Sequence, residues 1–131
     1  MNTQLEEKII QSFICKDNRE RMSYCLKSPK RRSNYLWRID RKMFTSKNII
    51  TVPRQRMTPQ NLCSFIKKHT DDGKCYVLKP SSEYDGETLS VEEAIDLFFG
   101  LGPFLLYFPE KNILYFEEEE NHGAQGRYIM F

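Results

Sequence analysis

Two short apolar runs, Phe104–Phe108 and Ile113–Phe116, are separated by the four residues Pro109–Asn112, and this pattern constrains the fold more than any other in the chain. A run of five apolar residues has strand length rather than helix length, and a Pro-Glu-Lys-Asn break supplies turn chemistry. The pair therefore reads as a β-hairpin. Further strand-sized segments lie at Ile49–Val52, Cys75–Leu78 and Tyr128–Phe131, with a turn at Asp85-Gly86 and a polar loop from Glu117 to Gly126.

Helix signals crowd the first half. Thr3-x-x-Glu6 has the spacing of a capping box, with Leu5, Ile9 and Phe13 on one face. Asp17-x-x-Glu20 offers a second start ahead of Met22, Cys25 and Leu26. Ser28-Pro29 offers a third, with Tyr35, Ile39 and Met43 on one stripe. Thr58-Pro59 opens a helix that turns Leu62, Phe65 and Ile66 inward and stops at Asp71-Asp72-Gly73. Ser90-x-x-Glu93 opens another, closed at Gly100. The expected class is α+β: a helical N-terminal half packed on a small, mostly antiparallel sheet from the C-terminal half. A length of 131 residues predicts a single domain spanning 1–131. No apolar run approaches membrane-spanning length, and MNTQLEEKII lacks the basic start and apolar stretch of a secretory signal. A cytoplasmic protein with no membrane partner is the expectation.

Charge is split between the halves. Residues 1–68 hold sixteen Lys/Arg against five Asp/Glu, and residues 69–131 hold four against thirteen. A near-neutral total thus hides a dipole along the sequence, which bears on partners and steering rather than on fold. Lys27–Arg56 is the most basic stretch and interleaves its cations with Tyr35, Trp37 and Phe44. Aromatic faces beside guanidinium groups suit single-stranded nucleic acid, so Lys30, Arg31, Arg32, Tyr35, Trp37, Arg38 and Arg41 form a candidate nucleic-acid surface. The competing reading is a solvated helix face packed against the acidic half of the same molecule.

Four cysteines, at 15, 25, 63 and 75, are scattered with no close pair. Two ligands from one turn are what zinc sites need, so these read as reduced core thiols, and no metal or other cofactor is expected. Glu117–Glu120 does not change this. Consecutive carboxylates alternate in direction and do not converge on one ion, and His122 has no partner histidine nearby. No G-x-S-x-G, H-E-x-x-H or phosphate-cradling glycine loop is present, and Cys75 with His69 would make a dyad only if the fold joined them. The expectation is a protein that is not an enzyme.

The segments KCYVL, YDGETLSVEEAID, FFGLGPFLLYFPEKNILYFEEE and GRYIMF, within residues 74–131, give a layout that resembles small bacterial immunity proteins of polymorphic and contact-dependent toxin systems. The resemblance implies a compact α+β protein that binds and blocks a cognate toxin, often a nuclease. The basic first half departs from the acidic balance common in that group. On this reading Tyr107 and Tyr115 form a rigid aromatic platform, and Glu117, Glu118, Glu119 and Glu120 form its negative rim. The alternative for the same residues is tyrosines in the core and glutamates in solvent.

Overall fold

The first helix, α1 (Thr3–Phe13), opens on Asn2, whose side chain accepts a hydrogen bond from the Leu5 amide at 3.1 Å. The cap lies one residue before Thr3, and the capping box expected there is not formed: the Glu6 carboxylate turns into the interior instead of back to the cap. α2 (Lys16–Leu26) follows, then α3 (Pro29–Trp37), which starts on Ser28 with proline in its first turn. α3 stops at Trp37, so Ile39 and Met43 leave the expected stripe. Ile39 is still buried, and Met43 closes a single 3-10 turn, Arg41–Met43, capped by Asp40. In this computed structural model, residues 1–45, 48–119 and 126–131 are described.

α4 (Pro59–Lys67) is capped by Thr58, which accepts from the Asn61 amide at 3.1 Å. α5 (Val91–Phe98) carries the reciprocal Ser90/Glu93 capping box that the sequence predicts. The strands are β1 (Ile49–Thr51), β2 (Lys74–Leu78), β3 (Thr88–Ser90), β4 (Phe104–Phe108), β5 (Ile113–Glu117) and β6 (Arg127–Met130). They form one sheet in the order β1-β6-β5-β4-β2-β3, antiparallel throughout. The hairpin is β4–β5, with Phe104 opposite Glu117 and Phe108 opposite Ile113. The architecture is α+β, with helices concentrated in the first half and strands in the second. Among the described residues no helix is long and apolar enough to cross a membrane.

Helices cover both faces of the sheet. Alternate residues of a strand point to opposite sides, and β4 and β5 offer no polar position along their apolar runs, so each side needs a cover. Leu105, Tyr107, Leu114 and Phe116 pack with α1–α3. Phe104, Leu106, Phe108 and Tyr115 pack with α4 and α5. The sheet also takes its edge strand β1 from the first half of the chain, paired through Ile50 and Ile129.

Arg32 joins these parts from a buried position on α3. Its two terminal nitrogens donate to the Glu6 carboxylate of α1 at 2.7 Å each. Nε donates to Asp85 Oδ2 at 2.6 Å, Nη2 to Asp85 Oδ1 at 3.3 Å, and Nη1 to the Leu26 carbonyl at 3.0 Å. Tyr76 of β2 donates its hydroxyl to Glu6, and Asp85 also accepts the Lys79 amide at 3.1 Å. The flanking carboxylates raise the guanidinium's pKa, and burial opposes them.

Removing one partner of such a pair leaves a buried charge uncompensated. Arg32→Met should therefore lower the unfolding free energy by about 3–5 kcal/mol, read as a fall in the denaturant midpoint at unchanged slope. A loss below about 1 kcal/mol would remove this network from the determinants of the fold.

Candidate functional site

The hairpin residues do not form a surface. Tyr107 and Tyr115 are both fully buried, on opposite faces of the sheet, as an eight-residue separation across one tight turn in this register requires. Tyr107 meets Phe13 edge-on at 6.2 Å and donates its hydroxyl to Asn112 Oδ1 at 2.6 Å. Tyr115 packs on Phe104 and donates to Glu117 Oε1 at 2.9 Å.

Glu117 is 0% exposed. Arg127 Nε donates to its Oε1 at 2.8 Å, and the Gly100 amide to its Oε2 at 2.9 Å. Burial raises its pKa, while the Arg127 guanidinium, the Tyr115 hydroxyl and the Gly100 amide pull the other way. Gly102 explains the tightness of this corner: a Cβ there would lie 2.1 Å from the Glu118 carbonyl oxygen. Glu118 is half-buried, Glu119 is exposed, and Glu120 lies outside the described residues. The expected aromatic platform with its acidic rim is corrected accordingly. Its tyrosines belong to two core layers and its first glutamate to an internal ion pair.

The basic stretch is dispersed as well, and helix geometry says why. At 100° per residue, α3 places Arg32 and Leu36 on one stripe, Ser33 and Trp37 on a second, and Arg31, Asn34, Tyr35 and Arg38 on a third. The first faces the core and consumes Arg32. Tyr35 buries its ring, Lys30 is exposed, and Arg41 lies 5.6 Å over the Tyr128 ring. A joint stacking platform of Tyr35 and Trp37 is therefore not formed.

The second stripe builds a cleft. Trp37, Lys79, Ser81, Tyr84, Leu97 and Leu101 line a space of about 520 Å³. Trp37 Nε1 donates to Ser81 Oγ at 3.0 Å, and Ser33 Oγ accepts the Ser81 amide at 2.9 Å. These bonds hold Ser81 at φ +57°, a left-handed conformation uncommon for a residue with a side chain. The Lys79 ammonium lies 5.6 Å over the indole and donates to the Leu101 carbonyl at 2.5 Å. Burial lowers the Lys79 pKa, and Glu117 opposes this. Gly100, at φ +80°, turns the chain out of α5 so that Leu101 reaches the rim. Sequence reading missed Leu97 and Leu101. The available signal was a leucine off the Val91–Ile95–Phe98 stripe and another just past the terminating glycine.

All four cysteines are free, with Cys25 and Cys75 buried and Cys15 and Cys63 half-buried. Burial pushes the Cys75 thiol up to about 12, with Asp72 adding to the effect. His69 packs between the rings of Phe65 and Phe131, at 5.5 Å from each. Among the described residues no group of three or more His, Cys, Asp and Glu is placed to hold a metal ion.

Two outcomes follow from this placement. In the native protein Cys75 should resist a thiol reagent that modifies Cys63, with all four thiols reacting on unfolding, and fast native modification of Cys75 would contradict its burial. Glu117→Ala should cost about 3 kcal/mol or more by chemical denaturation, while Glu119→Gln leaves the midpoint unchanged. Equal effects at the two positions would mean that Glu117 is not an internal ion-pair partner.

Comparison with protein-family models, with curated proteins and with solved structures found no match to this chain.

Proposed function

We propose that this is a non-enzymatic binding protein, an immunity protein that neutralises a cognate protein toxin by seating one of its apolar side chains in the Trp37 cleft. One observation carries the reading. Of the six exposed large apolar side chains among the described residues, Trp37, Leu97 and Leu101 share this cleft, at 39%, 40% and 59% exposure. Grouped exposed apolar side chains mark interaction sites, and tryptophan is among the residues that carry most of the binding energy at interfaces. Trp37 is already tied to Ser81 and lies under Lys79, so docking on it costs little side-chain freedom.

The toxin-neutralising part rests on the layout of residues 74–131, and that segment supplies most of the cleft: Lys79, Ser81, Tyr84, Leu97 and Leu101. The non-enzymatic part rests on the chemistry of the candidate groups. A thiol held protonated at Cys75 is a poor nucleophile, and the His69 imidazole packs against two aromatic rings, with no hydrogen bond to that thiol among the described residues.

The test uses the product of the gene next to the one encoding this chain. Co-expression with this chain should restore growth to cells that the product poisons. Leu101→Asp, at a solvent-facing position, should abolish protection and raise the dissociation rate at least about tenfold, with the circular dichroism spectrum unchanged. A folded Leu101→Asp variant that protects as well as the unmodified protein would put the contact elsewhere. Neighbouring products that are all harmless would overturn the immunity reading.

A further inference from the structure

The third stripe of α3 faces α2 across a recess of about 200 Å³, lined by Arg21 and Cys25 from α2 and by Arg31, Asn34, Tyr35 and Arg38 from α3 and its end. Three arginines thus border one small space. Among the described residues none of them is ion-paired to a carboxylate. Arg21 and Arg38 make no side-chain hydrogen bond among those residues either. Arg31 makes only a long contact to Ser28 Oγ at 3.4 Å and lies 5.3 Å over the Tyr24 ring. Arg32 on the same helix has all five donors satisfied, so an unpaired set one stripe away contrasts with how this fold treats its buried guanidinium.

Tyr35 supplies a second, independent observation. The residue is 7% exposed, and its hydroxyl is the single buried side-chain nitrogen or oxygen among the described residues with no hydrogen-bond partner. Buried polar groups almost always have partners, and an orphan one points to a group that the protein alone does not supply. Burial raises the Tyr35 pKa to about 12, with Cys25 adding and the Arg21 charge opposing, so the hydroxyl keeps its proton as a donor. The recess is thus lined by three arginines that no carboxylate pairs, by Asn34, and by Tyr35, whose orphan hydroxyl is buried in its wall.

We propose that the recess between α2 and α3 binds a phosphate monoester, with Arg21, Arg31 and Arg38 on its oxygens, assisted by Asn34 and the Tyr35 hydroxyl. Planar guanidinium forks match phosphate oxygens, and a dianion offsets the mutual repulsion of three neighbouring cations. Size selects a phosphoryl group over a larger ligand, because 200 Å³ is below the about 300 Å³ at which pockets for drug-sized molecules begin. Charge and surroundings select a monoester over a nucleic-acid strand. A strand needs aromatic faces beside the cations, but Tyr35 buries its ring, Trp37 belongs to another stripe, and Tyr24 already carries Arg31. This inference is independent of the toxin reading, since no residue of the recess lines the Trp37 cleft.

Titration of the full chain with ribose 5-phosphate, followed by calorimetry and by thermal shift, tests it, with inorganic phosphate and an unphosphorylated single-stranded oligonucleotide as the other arms. Ribose 5-phosphate should saturate at millimolar concentration or below and raise the melting temperature. Binding of inorganic phosphate as tightly as the sugar phosphate would overturn the assignment to an ester, and weaker binding supports it. Arg21→Ala and Arg38→Ala, both at exposed positions, should each weaken binding by about tenfold. Tyr35→Phe should leave the melting temperature of the free protein unchanged or higher, because it removes an orphan hydroxyl, yet reduce the ligand-induced shift. The proposal is overturned if neither phosphate species binds at millimolar concentration. It is equally overturned if affinity survives in the folded Arg21→Ala/Arg38→Ala double variant, or if the unphosphorylated oligonucleotide binds more tightly than ribose 5-phosphate.

Discussion

Arg32 fixes where α3 sits, and through α3 it positions both candidate surfaces. Its guanidinium takes Glu6 from α1, Asp85 from the loop between β2 and β3, and a carbonyl from the end of α2, while Tyr76 holds Glu6 from the sheet side. Apolar packing alone would tolerate small rotations of a nine-residue helix over a sheet. A fork with five directed donors does not, since any rotation strands a buried charge. Burial of ions is seldom a net gain over a well-packed apolar replacement. What this network supplies is position. It sets which residues of α3 face the core, the Ser81 loop and α2.

Much of the scaffold was legible because its signals are local. Ser90-x-x-Glu93 and Thr58-Pro59 announce helix starts through bonds made within four residues, and both are used as written. The hairpin was equally plain from two apolar runs and a turn. The site residues were misread for a non-local reason. An apolar run with no polar alternation belongs to a strand covered on both faces, and that property already consigned Tyr107 and Tyr115 to the interior. Glu117 shares a strand face with Tyr115 two residues earlier. It is therefore the inward end of β5, although composition groups it with half-buried Glu118 and exposed Glu119.

Charge asymmetry also looks different once pairs are assigned. Part of it is internal wiring between the halves. Arg32 of the basic half meets Asp85 of the acidic half, and Lys67 meets Glu92. The acidic half settles some of its own charge through Arg127 and Glu117 and through Lys111 and Asp71. Sequence charge counts do not distinguish a guanidinium consumed in the core from one left at the surface, because neighbouring positions 31 and 32 differ only by 100° of helix rotation. That rotation separates a cation with five satisfied donors from one bordering the recess between α2 and α3.

The two surfaces differ in how far they are preorganised. Trp37 and Ser81 are tied together by hydrogen bonds that hold a left-handed backbone residue, and such strain persists only where the surroundings over-determine it. Arg21 and Arg38 project from two helices whose relative placement is set by the Leu26 carbonyl on Arg32 and by the buried Met22, Leu26 and Leu36. At the cleft the side-chain ordering cost is met in the folded state, whereas at the recess only the backbone positions of the arginines are fixed and their exposed side chains are not. A tethered side chain such as Trp37 leaves less freedom to lose on contact than an untethered arginine does. A helix of nine residues can carry two such surfaces because its core stripe is held by a directed polar network, which leaves the other two stripes free to face outward in a fixed orientation.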